Sequence, residues 1–256
     1  NIDPLADRAT PERIASVAVA RGCDSVAFTY NDPVIFHEYA LDIAAACKEQ
    51  GVRTVAVTAG YVTPDPRAEF FAAMDAANVD LKGFTESFYH RLCGAHLAPV
   101  LETLEYLKKE TNVWFEITTL LIPEENDSEQ EISDMAAWVV DHLGPDVPIH
   151  FTAFHPDWKM NDRPPTPAAT LTRAREIALA AGIHFVYTGN VHDALGGSTY
   201  CPQCNTRLIE RDWYVLGEWK ISKTGTCTEC GTPCPGVFQS SPGTWGSRRL
   251  PIRIDQ

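Results

Sequence analysis

The sequence predicts an α/β fold: a run of βα units with about six strands, then a small module rich in cysteine. Three observations carry this expectation. Between Thr10 and Asn190, short apolar runs alternate with longer segments that open on cap residues and close on glycine. The strand cores are nearly continuous in apolar residues, as parallel strands covered on both faces require. The strands also end in polar residues: Thr29, Tyr30, Asn31 and Asp32, then Thr58, Asp80 with Lys82, Glu116 with Thr118 and Thr119, His155, and Thr188 with Asn190. A barrel carries its chemistry at the C-terminal ends of its strands, so this pattern favours a barrel. A doubly wound sheet stays open, although the G-x-G-x-x-G turn expected after its first strand is absent.

The elements follow in order. TPERIASVAVARG (10–22) reads as a helix, with Thr10 as N-cap, Pro11 in the first turn and Gly22 as the stop. SVAFTY (25–30) is a strand, PVIFHEYALDIAAACKEQG (33–51) a long helix and TVAVTA (54–59) a strand. PRAEFFAAMDAA (66–77) is helical and NVDLKG (78–83) is the next strand. TESFYHRLCG and LAPVLETLEYLKKET are helices, and VWFEITTLLIP (113–123) is a strand. DSEQEISDMAAWVVDHLG (127–144) is a helix capped by Asp127, with acidic residues complementing its dipole. PIHFTAF (148–154) is a strand, TPAATLTRAREIALAAG (166–182) a helix and HFVYTG (184–189) the last strand. His150 opens its strand and so falls at the end opposite the polar rim.

From Ser198 the pattern changes to short strands and turns, giving a module over 198–238 and an extended tail over 239–256. Cys201 and Cys204, then 22 residues, then Cys227 and Cys230 form two C-x-x-C knuckles. Four thiolates so spaced can close a tetrahedral shell around Zn²⁺, a structural site with no open position. Cys234 is left spare, although C-x-x-C-x-x-x-C could also serve an iron–sulfur cluster. Cys23, Cys47 and Cys93 read as buried small hydrophobes. Paired C-x-x-C clusters without a secretion signal point to a reducing cytoplasm.

The chain has 256 residues, 45% of them hydrophobic and 21% charged, which is ordinary for a globular protein. No run of about 18 apolar residues is present, so no membrane span is expected. A net charge of -13 argues against nucleic acid as the main partner. The start, NIDPLADRAT, lacks both Met and a signal pattern, and reads as a chain that begins partway into a protein.

Asp80 and Lys82 stand two apart in the NVDLKG strand, so they share a face. They either neutralise each other or receive a zwitterion between them. FTYNDP (28–33), VTAGY (57–61), NVDLKG (78–83), EITTLLIP with Asn126-Asp127, FTAFHPDW (151–158) and VYTGN (186–190), followed by the cysteine knuckles, resemble one family in order and spacing. It is the radical S-adenosylmethionine (AdoMet) enzymes of the AmmeMemoRadiSam type, relatives of the pyruvate formate-lyase activating enzyme.

The resemblance implies a partial (β/α)6 TIM-like barrel over 1–197 with a C-terminal zinc ribbon. It implies AdoMet as cofactor, held by Thr29, Tyr30, Asn31, Asp32, Thr58, Gly60, Asp80, Lys82, Glu116, Thr118 and His155. Lys82 would pair with the methionyl carboxylate, Asp80 would hold Lys82 or the amine, and Gly60 would permit close backbone approach. It also implies a [4Fe–4S] cluster whose electron cleaves AdoMet to a 5′-deoxyadenosyl radical, which abstracts hydrogen from a protein or peptide. Memo-like and AMMECR1-like proteins are the expected partners. The family's C-x-x-x-C-x-x-C does not occur in this sequence. The expectation is therefore a fragment lacking the first strand and cluster loop, or a form without the cluster, inactive alone. The rival reading is a non-catalytic zinc-ribbon scaffold that binds proteins.

Overall fold

In the computed structural model, which describes residues 9–239, 241–243, 245–252 and 254, six strands follow one another across a sheet in chain order. They are β1 (Ser25–Phe28), β2 (Arg53–Thr58), β3 (Ala76–Asp80), β4 (Trp114–Leu121), β5 (Ile149–Ala153) and β6 (Val186–Gly189). The pairs β1–β2, β2–β3, β4–β5 and β5–β6 are parallel. A doubly wound sheet reverses its winding and breaks chain order, so the order seen is that of barrel-type βα repeats. The expected start of the chain (1–8) and positions 240, 244, 253, 255 and 256 of the tail lie outside the described residues.

The chain forms two compact units. The first comprises the residues up to Val79, Glu102–Phe115 and the chain from Arg249; the second comprises Asp80–Leu101 and Glu116–Arg248.

In the first unit, α1 (Pro11–Ala20) starts as its sequence demands, with Thr10 Oγ1 accepting from Arg13 N. The helix expected over 33–51 is broken. Pro33–Phe36 is a 3₁₀ turn and α2 runs His37–Glu49. The cause is Asp32, whose carboxylate caps Val34 N while its carbonyl accepts from Ile35 N in a tight turn. α2 buries Ala40, Ile43, Ala44 and Cys47, one stripe of a 3.6-residue period. Cys47 is buried as expected, but Cys23 and Cys93 are exposed. The helix expected over 66–77 lies earlier: α3 spans Pro64–Ala72. Asp75 receives Thr54 N on its carboxylate and Trp114 N on its carbonyl, which ends the turn and hands Ala76 to β3. β3 then stops at Asp80, so Lys82 lies two residues past the strand.

In the second unit, a short turn α4 (Glu86–Phe88) continues as a π-helical turn over Tyr89–Cys93. α5 (Leu97–Glu110) begins in this unit. α6 (Glu129–Leu143) is capped by Ser128 rather than Asp127: Ser128 Oγ accepts from Glu131 N, and Asp127 instead receives Glu124 N. α6 buries Ile132, Met135, Ala136 and Val139, and Met135 Sδ meets the Thr119 hydroxyl of β4. α7 spans Ala168–Ala180. Thr166, which opens the segment expected as this helix, lies outside it and is buried, donating to Leu121 O and accepting from Phe154 N. After β6 come α8 (Ala194–Gly197) and an antiparallel sheet of β7 (Thr199–Tyr200), β8 (Arg207–Asp212) and β9 (Val215–Trp219). Phe185, Leu208, Ile209, Ile221 and Cys234 form its core with Cys201 and Cys227.

Candidate cofactor and metal sites

In the first unit, Asp32 ties the loop after β1 to the loop after β2. Its Oδ1 accepts from Thr58 Oγ1 at 2.9 Å and from Val34 N at 3.1 Å, and its Oδ2 accepts from Ala59 N at 2.8 Å. The Thr58 hydroxyl in turn accepts from Gly60 N at 3.1 Å. Gly60 has φ +66°, and a Cβ there would stand 2.9 Å from Val79 Cγ1, so only glycine fits. Thr29, Tyr30 and Asn31 are exposed in the same turn, Tyr30 with φ 69°. Thus Thr58 and Gly60 shape this loop through Asp32, while the side chains of Thr29, Tyr30 and Asn31 are exposed. Replacing Asp32 with alanine orphans three donors, and denaturant unfolding should register a loss of about 3 kcal/mol.

In the second unit, Lys82 Nζ lies 2.7 Å from Asp80 Oδ2, both side chains partly exposed. The backbone that presents them is pinned at every step. Leu81 O accepts from the Thr119 hydroxyl at 2.8 Å, Lys82 N donates to Tyr89 Oη at 3.1 Å, and Phe84 N donates to Glu131 at 2.6 Å. Gly83 passes so close to Phe88 that an added Cβ would meet the ring at 2.7 Å. Asn126, 1% exposed, is the hub: it donates to Lys82 O at 2.7 Å and Leu120 O at 2.9 Å, and accepts from Ile122 N at 2.7 Å. Nothing local in the sequence marks it as that hub, nor Tyr89 or Thr166 as buried anchors. The dense hydrogen bonding fixes where the Asp80–Lys82 pair stands.

Glu116 and Thr118 share the half-buried face of β4, as the alternation predicted. Glu116 is not at the strand's end, however. β4 runs on to Leu121, so Glu116 lies in its first half, where its carboxylate meets His150 Nε2 at 2.6 Å. His150 stacks on Tyr187 at 4.9 Å, and Tyr187 Oη meets Thr199 Oγ1 at 3.0 Å. Burial pushes the Tyr187 hydroxyl up to about 12. Glu116 therefore belongs to a polar string at the strands' N-terminal side, the side expected for His150. His155 is exposed in the loop just past β5. That loop is anchored by Arg163, which together with Arg91 grips the buried carboxylate of Glu125. The side-chain bond from Arg91, followed by the charges of both arginines, holds the Glu125 carboxyl below the ordinary carboxylate range.

The cysteines gather as their spacing predicted. The sulfurs of Cys201, Cys204, Cys227 and Cys230 all lie within 4.8 Å of one another. Two of the separations, Cys201–Cys230 at 3.6 Å and Cys204–Cys227 at 3.7 Å, are near the roughly 3.8 Å edge of a tetrahedral thiolate shell with 2.3 Å metal–sulfur bonds. The two knuckles, CPQCNT and CTECGT, are built alike: Asn205 N and Gly231 N donate to the carbonyls of Cys201 and Cys227. Asn205 and Gly231 both have positive φ, 56° and 76°. Thr206 and Thr232 hydroxyls stand 3.2 Å from the Cys204 and Cys230 sulfurs. The Thr206 bond, above all, lowers the Cys204 thiol to about 6, and Thr232 lowers Cys230 likewise. Cys234 stays outside the four, its thiol pushed up to about 11 by burial.

Residues 3–136 match the family model described as the Radical SAM superfamily. The chain belongs to the radical SAM superfamily. It is 39% identical over 225 residues to an uncharacterised protein of Methanocaldococcus jannaschii, covering 87% of this chain and 66% of that protein. It is 25% identical over 136 residues to the 4-hydroxyphenylacetate decarboxylase activating enzyme of Clostridioides difficile, covering 53% of this chain and 42% of the enzyme. The chain thus spans less than two thirds of either relative. Among solved structures, a domain of a pyruvate-formate lyase-activating enzyme from Bacteroides vulgatus aligns with TM-score 0.57 at 18% identity, over 65% of this chain and 99% of that one. Streptococcus suis SuiB bound to S-adenosylmethionine aligns with TM-score 0.60 at 16% identity, over 75% of this chain and 46% of that one. These two likenesses speak to the fold alone. In this radical SAM chain, among the described residues, no helix is long and apolar enough to cross a membrane.

Proposed function

We propose that this chain is the AdoMet-holding part of an activating-type radical SAM enzyme, of the AmmeMemoRadiSam kind, acting on a protein or peptide in the cytoplasm. The observation that carries the reading is the Asp80–Lys82 pair at the end of β3, fixed by Asn126, Tyr89 and Thr119, in a member of this superfamily. The donor set fits the methionyl end of AdoMet. Lys82 supplies a cation for the carboxylate, and Asp80 supplies an anion for Lys82 or the amine. In the first unit, Thr29 and Asn31 offer uncharged polar groups on the turn that Asp32 holds. His155 is assigned to the same ligand from its place past β5. Thr118 is assigned a more remote contact, whereas Glu116, in the first half of β4 and taken by His150, is left out of this ligand's set.

The similarity to activating enzymes supports a macromolecular substrate. Memo-like and AMMECR1-like proteins are proposed from the resemblance alone. A partial barrel over 1–197, a zinc ribbon over 198–238 and a tail over 239–256 remain the proposed division, with Zn²⁺ the metal that best suits four thiolates.

The residues present do not fit a three-cysteine [4Fe–4S] site. Among the described residues, Cys23, Cys47 and Cys93 join no ligand group, and the one group of candidate metal ligands is the knuckle quartet. What the chain's own residues do is read the amino-acid end of AdoMet. Equilibrium dialysis should show AdoMet binding more tightly than adenosine, and Lys82→Met should weaken AdoMet about tenfold without changing adenosine. Equal binding of AdoMet and adenosine to the unmutated protein would refute the assignment. Supplied with iron, sulfide, dithionite and AdoMet, this chain should release no 5′-deoxyadenosine; its appearance would show that cysteines of this chain assemble a cluster after all.

A further inference from the structure

A cavity of about 300 Å³ lies in the second unit, between α7, the start of β6 and the first cysteine knuckle. Arg175, Leu179, His184, Val186 and Tyr200 form part of its wall, and no aspartate or glutamate lines it, in a chain of net charge -13. It is at the N-terminal end of β6, away from Thr188 and Asn190 at the other end, and none of the groups assigned above to AdoMet borders it.

The backbone explains why the cavity is rich in donors. Ile149 of β5 is paired with Val186 and donates its N–H to Phe185 O. In a parallel ladder a residue sends both backbone groups to one side, so Val186 faces away from β5. Its carbonyl accepts from Arg175 Nε at 3.0 Å, and its N–H points to the same open side. The guanidinium is further seated over the Tyr200 ring, 5.8 Å from its centroid. Among the described residues, neither η nitrogen of Arg175 makes a hydrogen bond or ion pair. His184 is different: its Nδ1 is held by Asp146 at 2.9 Å. Cys201 borders the cavity too, so negative charge on a ligand belongs at the Arg175 side.

We propose that this cavity binds a small carboxylate with an apolar body. The carboxylate meets the Arg175 η nitrogens and Val186 N–H, and the apolar body lies against Leu179 and Tyr200. Such a group comes either from a free small acid or from the C-terminus of a peptide. The site stands independently of the activity proposed above, since no AdoMet contact is involved.

Calorimetry on the metal-loaded chain with four probes tests it: benzoate, benzamide, N-acetyl-Ala-Leu as free acid, and the same dipeptide as amide. At least one acid is expected to bind at least tenfold more tightly than its amide. Binding of benzoate alone assigns the site to free acids, and binding of the dipeptide acid alone assigns it to chain ends. Arg175→Gln should weaken the acid about ten- to hundredfold, the loss expected for a hydrogen bond to a charged group. Leu179→Glu puts a like charge at a partly exposed position and should weaken it similarly with melting unchanged, which keeps the test decisive if Arg175→Gln fails to fold. Acids and amides binding alike, no probe binding, or Leu179→Glu leaving the acid's affinity intact would overturn the proposal.

Discussion

Asn126→Ala is expected to lower the unfolding free energy by about 4 kcal/mol, as much as truncating a large side chain of the apolar core. The reasoning is a count of orphaned groups. The side chain is buried and bonds three backbone groups: the Ile122 N–H and the carbonyls of Lys82 and Leu120. Removing one partner leaves a buried polar group to bear its own desolvation, about 1–3 kcal/mol each. Truncation also leaves a small void that water cannot fill well unless the loop opens. Asn126→Asp discriminates further. It keeps the acceptor for Ile122 N but replaces both donors with a carboxylate facing two carbonyls, so it should be at least as damaging as alanine. Urea unfolding monitored by tryptophan fluorescence measures both. If alanine costs less than about 1 kcal/mol, the three bonds are not what holds the loop. Because Asn126 also fixes Lys82 O, the same variant should weaken AdoMet binding, linking the fold to the proposed site.

That hub shows where sequence reading stops. Asp80 and Lys82 could be paired from their spacing, because two residues apart in extended chain means one face. The cysteine quartet could be grouped for a similar reason, since each knuckle is a local turn and chemistry demands four ligands. Asn126 bonds across 44 positions to Lys82, and no local pattern announces such a partner. Glu116 reads as a strand-end residue but lies inside β4, because where a parallel strand ends depends on its neighbours' register, and β4 pairs with β5 as far as Leu121. The α3 boundary moved for a related reason. Alanine favours helix, yet Ala76 and Ala77 are claimed by pairing with Val55 and Ala56, and tertiary pairing outweighs a weak local propensity. Asp32 was legible as a turn residue. Its hold on Thr58 and Ala59 was not, because that needs two strands already side by side.

Removing metal from the knuckles is expected to unfold the cysteine module and loosen β6 with it. The hydrophobic core there is small and includes two of the sulfurs themselves: Cys201 and Cys227 are each 2% exposed and pack with Leu208, Ile209 and Ile221. A structural zinc in such a module contributes about 10–16 kcal/mol of apparent binding energy, more than a core this size can replace. Without the ion, four thiols held within 4.8 Å of one another gain nothing from their proximity. The consequences reach beyond the module, because Phe185 belongs to its core and Tyr187 packs against it, and these two residues flank Val186 at the start of β6. Hydrogen exchange should therefore show protection lost over β7, β8 and β9 after chelation, with partial loss in β6, while the first unit's β1 and β2 keep theirs. Cys227→Ser should reproduce the chelated state, and Cys234→Ser should not, since Cys234 stands outside the quartet. The purified protein should carry one tightly held ion per chain. A metal-free chain with the module's amides still protected would mean that packing alone holds the knuckles and that the four sulfurs are together for some other reason.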